Sequence, residues 1–361
     1  MALDTAALCD TSRVSDSTAE RFHREVRDRA ESALAVAPHR EHILCAGGRP
    51  VRLRFAGPCL ENLLMPALEH LSTAPAGPAA LTVTLFDTAS TGISPPPPPW
   101  QAAQQGPRGV IAGYNSVRFR TVYQPGADVL LIYDSDERCG VYWSPDYRRV
   151  PYWEASFPLR SLFQWWLEDQ PLQLAHAAAV GLPEGGVLIA GPSGSGKSTT
   201  ALACLESDLL YAGDDHVLLG TSPLWAHCLY NTAKLTPDVE PWFPQLAAAI
   251  SNRERCGSEK ALLFLSRCAP EKLIAGFPIR ALLVPRVTGL RETRLVRCSA
   301  SEAFRALAPT TLFQLPGTGR RALDKLATVV RDAPVYRLEL GTDLPGIPRT
   351  ILRLLRTGEA A

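Results

Sequence analysis

One short segment constrains this sequence more than any other: a glycine-rich loop between an apolar run and a helical pattern. Residues 191–198, GPSGSGKS, fit the pattern G-x-x-x-x-G-K-[ST]. They follow the apolar residues 187–190, VLIA, and precede KSTTALACLE, whose spacing is helical. In such a strand–loop–helix unit the glycines let backbone amides turn towards phosphate oxygens, and the helix adds its positive end. The sequence therefore predicts an α/β fold that contains a P-loop.

This loop predicts contacts with a nucleotide and a metal ion. Lys197 is expected to contact the β- and γ-phosphates, and the hydroxyl of Ser198 is expected to bind Mg²⁺. The predicted nucleotide-binding residues are Gly191, Pro192, Ser193, Gly194, Ser195, Gly196, Lys197, Ser198 and Thr199. The alternative is a glycine-rich turn that binds no nucleotide.

Two adjacent acids, Asp214 and Asp215, follow Ser198 by sixteen and seventeen positions. The strand DLLYAG, residues 208–213, leads to them, and we expect it to lie beside the strand that precedes the loop. One carboxylate can then hold Mg²⁺, and the other can accept a proton from an attacking hydroxyl. The alternative is an Asx-type turn that ends the strand.

A single histidine, His176, lies in the apolar run LQLAHAAAV, fifteen residues before Gly191. We expect this run to be one strand that reverses at GLPEG into the strand GGVLIAG. That reversal would bring His176 towards the phosphate end, where an imidazole can orient Asp214. A buried core histidine is the alternative.

Together, His176, the loop and the pair in AGDDHV resemble the catalytic domain of HPr kinase/phosphorylase, whose fold is related to phosphoenolpyruvate carboxykinase. This match covers about residues 172–220. A looser similarity, to HPr-kinase-related proteins of peptide-modification gene sets, covers about 157–355 and includes the WW pair, YNTAKL, SEKALLFL and APVYRLELGTDL. The family's Glu-x-Arg-Gly-Leu-Gly signature is absent after Asp215, and IRALLVPRV occupies roughly that part of the chain. Neither reverse phosphorolysis nor HPr itself as substrate is therefore predicted.

The resemblance implies a P-loop catalytic domain of the HPr kinase/phosphoenolpyruvate carboxykinase type over residues 156–361. It implies an ATP- and Mg²⁺-dependent kinase that phosphorylates a serine or threonine of a peptide or small protein. Asp214 would be the general base, supported by His176, with Lys197 as a further catalytic residue. Ser198 and Asp215 would bind the metal.

Other functions fit the same loop. A small-molecule kinase of the free-serine type, a carboxykinase-like decarboxylase and a non-catalytic ATP-binding regulatory module remain alternatives. Four basic residues beyond the acids are candidates to neutralise phosphate, although each is individually more typical of a solvated surface: Lys234, Lys260, Arg280 and Arg286. The polar segment SNRERCGSEK is either a lid over the nucleotide or a surface loop.

Residues 1–155 predict a separate α+β domain, rich in antiparallel strands, in front of the catalytic domain. A polar helix reaches about residue 40, and HILCAGGRPVRLRF then predicts a hairpin around Gly47 and Gly48. Further strands are predicted at ALTVTLFD, VRFRTVY, DVLLIYD and CGVYW, and SPPPPPW is a stiff spacer or surface loop. No catalytic set is visible here, which suggests recognition of a substrate or partner.

Composition excludes several other classes. The net charge is +1 and 46% of residues are apolar, which argues against nucleic acid as a partner and against disorder. The first residues lack a leader pattern and no apolar run approaches a membrane span, so we expect a cytoplasmic protein without a membrane partner. The nine cysteines form no CxxC pair and are expected to be reduced thiols without zinc. A homo-oligomer is possible.

Overall fold

The structure is a computed structural model that describes residues 16–74, 77–124, 126–255, 259–316 and 319–358. The chain divides into two compact units. One contains Met1–Ile43, Val51–Leu63 and Ala76–Pro151, and the other contains Leu44–Pro50, Leu64–Pro75 and Tyr152–Ala361. The start of the chain and residues 256–258 of SNRERCGSEK lie outside the described residues.

The described residues form the helices α1 (Asp16–Val36), α2 (Pro58–Leu64), α3 (Thr88–Thr91), α4 (Tyr152–Ser156), α5 (Arg160–Trp166), α6 (Lys197–Ala203), α7 (Leu265–Cys268), α8 (Ala300–Gln314), α9 (Arg320–Asp332) and α10 (Gly346–Thr357). The strands are β1 (His39–Ala46), β2 (Arg49–Ala56), β3 (Leu81–Asp87), β4 (Phe119–Gln124), β5 (Val129–Asp134), β6 (Cys139–Ser144), β7 (Leu172–Ala175), β8 (Ala178–Leu182), β9 (Gly185–Ile189), β10 (Leu210–Gly213), β11 (Val217–Thr221), β12 (Leu224–His227), β13 (Thr232–Leu235), β14 (Ala261–Phe264), β15 (Gly276–Val287), β16 (Arg294–Arg297) and β17 (Val335–Leu340). The fold is therefore mixed α/β.

One sheet has the strand order β1-β2-β3-β6-β5-β4, and most of its residues belong to the first unit. The expected hairpin is present: β1 and β2 are neighbours, and Gly47 and Gly48 between them both have positive φ. The α1 helix packs on this sheet, with Phe22 and Val26 in one core with Phe86. The pairs β4–β5 and β5–β6 are antiparallel, whereas β2–β3 and β3–β6 are parallel. A long connection that contains α2 lets the chain return in the same direction.

The second unit is built on a larger sheet with the order β10-β8-β9-β15-β12-β11-β7. β17 adds to β15 in parallel, β16 pairs with β17, and β13 and β14 form a separate antiparallel pair. Side chains of β9 alternate between two cores: Val187 and Ile189 pack with α6 and α10, whereas Leu188 packs with α8 and α9. This period of two is the pattern of a strand that is buried on both faces.

Two short connections in this unit each join a strand on one side of the larger sheet to a strand on its other side. Residues 176–177 connect β7 to β8, and residues 214–216 connect β10 to β11. Ala178 pairs with Ile189, and Val217 pairs with Ala175. Both connections therefore lie beside the chain that leaves the end of β9.

Two expectations about these strands were wrong. The strand DLLYAG forms β10, but it pairs with β8 and not with β9. The reason is that the β8–β9 hairpin fills one edge of β9 and parallel β15 fills the other. The run LQLAHAAAV is not one strand either, because it divides at His176 into β7 and β8.

The described cysteines are free thiols: Cys45, Cys59, Cys139, Cys204, Cys228, Cys268 and Cys298. Cys9 and Cys256 lie outside the described residues. Within the described ranges, no helix has both the length and the apolar character that a membrane crossing requires.

Candidate active site

The loop that follows β9 enters α6 through glycines with left-handed backbone. Gly194 has φ 77° and Gly196 has φ 102°. A Cβ atom on Gly196 would lie 2.3 Å from Cδ1 of Leu340. The backbone conformation therefore favours glycine at position 196, and a larger residue would also displace the end of the Leu340 side chain.

Lys197 is the first residue of α6, and its side chain is buried. Its Nζ donates to the carbonyl oxygens of Gly191 at 2.8 Å and Pro192 at 3.1 Å. Burial lowers the pKa of Lys197, while the charges of Asp214 and Asp215 oppose that shift. The loop carbonyls thus hold the ammonium group close to both acids.

Asp214 is the more deeply buried acid of the pair. The Ser198 hydroxyl donates to its carboxylate, and its Oδ1 has no hydrogen-bond partner among the described residues. Burial raises the pKa of Asp214, the charge of Asp215 adds to this, and the bond from Ser198 opposes it. A buried carboxylate oxygen without a partner is costly, and a cation bound there would remove that cost. Asp214 and Ser198 are oxygen donors, the kind that Mg²⁺ takes.

Asp215 has a different environment. Its φ is 61°, and the N–H of His216 donates to the Asp214 carbonyl at 2.7 Å, which closes a three-residue turn. Its Oδ2 lies 2.5 Å from Nζ of Lys234, which in turn lies 4.4 Å from the centre of the Phe157 ring. Burial alone would raise the pKa of Asp215, but the charge and hydrogen bond of Lys234 hold it well below its usual range. The two adjacent acids are thus shifted in opposite directions, the arrangement by which one site separates two carboxylate roles.

His176 lies against Asp215. Its ring donates to the backbone carbonyl of Asp215, and its own backbone N–H donates to Thr311 at 2.9 Å. Burial lowers the pKa of His176 to about 4, so the ring is neutral near pH 7. The His216 ring follows at a centroid distance of 5.9 Å. The contact with Asp215 differs from the expected support of Asp214, because the break between β7 and β8 places His176 at the outer acid.

These groups adjoin a cleft of about 940 Å³ within the second unit. Asp215, Lys234 and His176 line it, whereas Asp214 is absent from the described lining residues and lies behind Ser198. A volume of this size is within the range of small-molecule and cofactor pockets.

The other loop residues have different positions. Ser193, Gly194, Gly196, Ser198 and Thr199 line the cleft. Gly191 and Pro192 supply the two carbonyls to Lys197. The hydroxyl of Ser195 packs so close to Gly191 that a Cβ there would lie only 2.6 Å from it.

Two of the four basic candidates reach the cleft. Lys234 and Lys260 line it. Arg280 instead donates to the carbonyl of Glu184, and Arg286 is exposed outside the lining set. In the described part of SNRERCGSEK, Lys260 is thus the residue with a place at the site.

Sequence reasoning missed several lining residues: Trp153, Phe157, Arg160, His216, Asp238 and Trp242. Arg160 lies 3.6 Å from the buried Glu154. His216 follows the paired acids directly and could have been found from that position. The others belong to no motif: Trp153 lies in α4, Phe157 between α4 and α5, Arg160 in α5, Asp238 after β13 and Trp242 in the turn Glu240–Trp242.

The described residues contain no group of three or more His, Cys, Asp or Glu side chains placed to hold a metal ion. A metal at this site would therefore depend on Ser198 and one or two carboxylates, together with oxygens of a nucleotide. Mg²⁺ is commonly bound in this way, through few protein ligands and substrate phosphates.

No protein-family model matches the sequence, and no curated protein matches it. Among solved structures, the chain is similar to the HPr(Ser) kinase/phosphatase from Coxiella burnetii, with 13% sequence identity and a TM-score of 0.29 over 52% of this chain and 97% of that chain. A match at this score carries no conclusion about the activity of this chain.

Proposed function

We propose that this chain is an ATP-dependent kinase that transfers the γ-phosphoryl group to a serine or threonine hydroxyl of a peptide or small protein. One observation carries the proposal: the glycine loop, Lys197, the Ser198–Asp214 contact and the Lys234–Asp215 pair adjoin one cleft. Such transfer requires phosphate positioning, charge neutralisation and a proton acceptor, and these residues offer each of them.

On the nucleotide side, the loop amides and Lys197 would bind the phosphate oxygens. Ser198 and Asp214 would hold Mg²⁺, and their hydrogen bond together with the unpartnered Oδ1 supports that assignment. Bound Mg²⁺ supplies neutralisation of the charge that develops on the phosphate oxygens. Lys197 adds a positive charge on the same wall.

On the acceptor side, Asp215 would accept the proton of the attacking hydroxyl. This exchanges the two roles expected from sequence, and the reason is access: Asp215 lines the cleft and Asp214 does not. A general base must come within hydrogen-bond reach of the proton that it removes. The two carboxylates also have different partners, Lys234 for Asp215 and Ser198 for Asp214.

Lys234 and His176 would act through Asp215. Lys234 holds the Asp215 carboxylate ionised in the free protein. When the nucleotide is bound, movement of the Lys234 ammonium group from Asp215 to a phosphate oxygen would raise the basicity of Asp215. His176 fixes the Asp215 backbone through its ring hydrogen bond, which makes it a positioning residue.

The test is incubation of the full-length protein with γ-labelled ATP, Mg²⁺ and a pool of serine- and threonine-containing peptides. We expect label in peptide hydroxyls, and we expect Lys197→Ala to abolish the transfer. Label found only in free amino acid would favour the small-molecule kinase. ATP binding without transfer to any acceptor or to water would favour a non-catalytic module.

A further inference from the structure

Exposed apolar side chains gather around the cleft. In the described part of the second unit the large exposed apolar residues are Trp153, Trp242, Val287, Leu290, Val296 and Phe313. Trp153, Trp242 and Val287 line the cleft itself. Leu290 and Phe313 are chain neighbours of residues that line it, and Val296 is not.

Leu290 and Phe313 are outside the lining but are bonded directly to residues of it. Leu290 follows Gly289 and Phe313 precedes Gln314, and both of those neighbours line the cleft. Leu290 is 53% exposed and Phe313 is 73% exposed. We call Trp153, Trp242, Val287, Leu290 and Phe313 the apolar rim.

Single exposed apolar residues are ordinary, but several exposed apolar residues around one cleft are typical of an interaction surface. Two members of the apolar rim are tryptophans, a residue type enriched among those that dominate binding energy at interfaces. The rim residues come from α4, the turn Glu240–Trp242, the end of β15 with the chain after it, and the end of α8. Because separate elements contribute, the apolar character is not the stripe of one poorly buried helix.

We propose that the apolar rim docks a polypeptide acceptor whose phosphorylated serine or threonine is flanked by apolar side chains. This inference rests on the proposed kinase function and names its substrate class. A small hydroxylated acceptor would fit inside a cleft of about 940 Å³ and would leave Leu290 and Phe313 in water. A polypeptide necessarily continues from the acceptor hydroxyl out of the cleft, and Leu290 and Phe313 are exposed side chains directly next in the chain to residues that line it.

The charge of the protein also favours an acceptor that binds through apolar side chains. The formal net charge of the chain is +1, so long-range attraction contributes little to capturing an acceptor. The lysines of the cleft, Lys197, Lys234 and Lys260, are the residues expected to meet the phosphates, and Arg160 lies 3.6 Å from the buried Glu154. Burial of apolar side chains on the rim is then the main source of acceptor affinity.

The experiment uses the full-length protein with γ-labelled ATP and a peptide library that has one central serine or threonine and degenerate flanks. The variants are Leu290→Ser and Phe313→Ser. Val296→Ser is the matched control, since Val296 is 41% exposed in the same unit but neither it nor its chain neighbours line the cleft. ATP binding is followed separately by the ATP-dependent shift in melting temperature.

We expect the wild type to select peptides with apolar residues near the acceptor. Each rim variant should lower kcat/KM for the selected peptides by roughly tenfold, because the lost burial of one large side chain is of that order. The ATP-dependent melting shift should stay unchanged in both variants, and Val296→Ser should match the wild type.

Several results would overturn the docking proposal while leaving the kinase proposal intact. These are selection without any apolar preference, equal kcat/KM in the rim variants, or efficient phosphorylation of free L-serine but of no peptide. Light scattering that shows a dimer dissolved by Leu290→Ser would assign the rim to a second copy of the chain. Rim-dependent sedimentation with phosphatidylcholine–phosphatidylglycerol vesicles would assign it to a lipid surface. Absence of any ATP-dependent melting shift in the wild type would instead refute the kinase proposal, and the docking proposal with it.

Discussion

The assignment of Asp214 and Asp215 can be tested by changing each to asparagine, which keeps size and hydrogen bonding but removes the proton acceptor. If Asp215 is the base, Asp215→Asn should bind MgATP normally and lose roughly 10²- to 10⁴-fold in kcat. If Asp214 holds the metal with Ser198, Asp214→Asn should raise the Mg²⁺ concentration for half-maximal activity by roughly 10- to 100-fold. High Mg²⁺ should restore part of that loss.

The structural side effect of Asp215→Asn can be worked out from the Lys234 contact. The two side chains are 18% and 12% exposed and 2.5 Å apart, so the substitution leaves a mostly buried ammonium group without its carboxylate. Loss of one partner of a buried pair costs about 3–5 kcal/mol, and the remaining exposure favours the lower value. The double variant Asp215→Asn/Lys234→Met removes both charges and should recover much of this stability without recovering turnover.

The assay is phosphoryl transfer at saturating ATP across a Mg²⁺ titration, with urea unfolding of each variant alongside. Rescue of Asp215→Asn by Mg²⁺, together with failure to rescue Asp214→Asn, would return the roles to the order expected from sequence. Full activity in both variants would reduce the pair to a strand-end turn and refute the mechanism. Recovery of turnover in the double variant would show that the loss came from instability.

Three further expectations are independent of that pair. Lys197→Ala should abolish the ATP-dependent shift in melting temperature, because the loop carbonyls hold its ammonium group where the phosphates are expected to bind. An unchanged shift together with normal turnover would contradict this role of Lys197. Burial lowers the pKa of His23 to about 3 in the folded protein. The unfolded protein therefore binds a proton at this ring below pH 6.5 while the folded protein does not, and the free energy of unfolding falls as the pH drops. Between pH 7 and pH 5 the free energy of unfolding should fall by about 2 kcal/mol because of His23. In urea unfolding, His23→Gln should lose that much less stability than the wild type over this pH range, and an equal loss in both proteins would contradict the assignment. The thiol of Cys228 lies 3.2 Å from the ring of His70, whose other nitrogen contacts Asn231. Burial nevertheless raises the pKa of this thiol to about 12, so it stays protonated near pH 7. Mass spectrometry should therefore show that iodoacetamide leaves Cys228 unmodified in the native protein. Fast native alkylation of Cys228 would show an activated thiol.

The parts of the site that the sequence could reveal are local in the chain. The loop follows a strand and opens a helix within a dozen residues, so its context is visible directly. The nearness of His176 to the paired acids was also predictable, because a hairpin before the loop returns the chain to the same end. The strand order was not predictable. Nothing in DLLYAG indicates that β8 already pairs with β9, so that β10 must pair with β8 instead.

The division of LQLAHAAAV could not be found from hydrophobicity either. Residues on both sides of His176 are buried, so the apolar pattern stays continuous while the hydrogen-bond partner changes from β11 to β9. Lys234 reaches Asp215 from β13, a strand that pairs only with β14 among the described residues and has no motif of its own. Such long-range partners depend on the packing of separate elements, which a pattern of residue types does not encode.

The backbone at Asp215 allows chemistry and folding to be separated at one position. Its φ of 61° is a conformation that glycine adopts freely and that costs other residues roughly 1–2 kcal/mol. Asp215→Gly and Asp215→Ala remove the same carboxylate and the same Lys234 contact, so their difference reports the backbone alone. We therefore expect Asp215→Gly to be more stable than Asp215→Ala by about 1 kcal/mol in urea unfolding, with both inactive in phosphoryl transfer. Equal stability would mean that the turn relaxes once the carboxylate is gone. In that case the Lys234 contact, and not the order of the strands, holds Asp215 at the cleft.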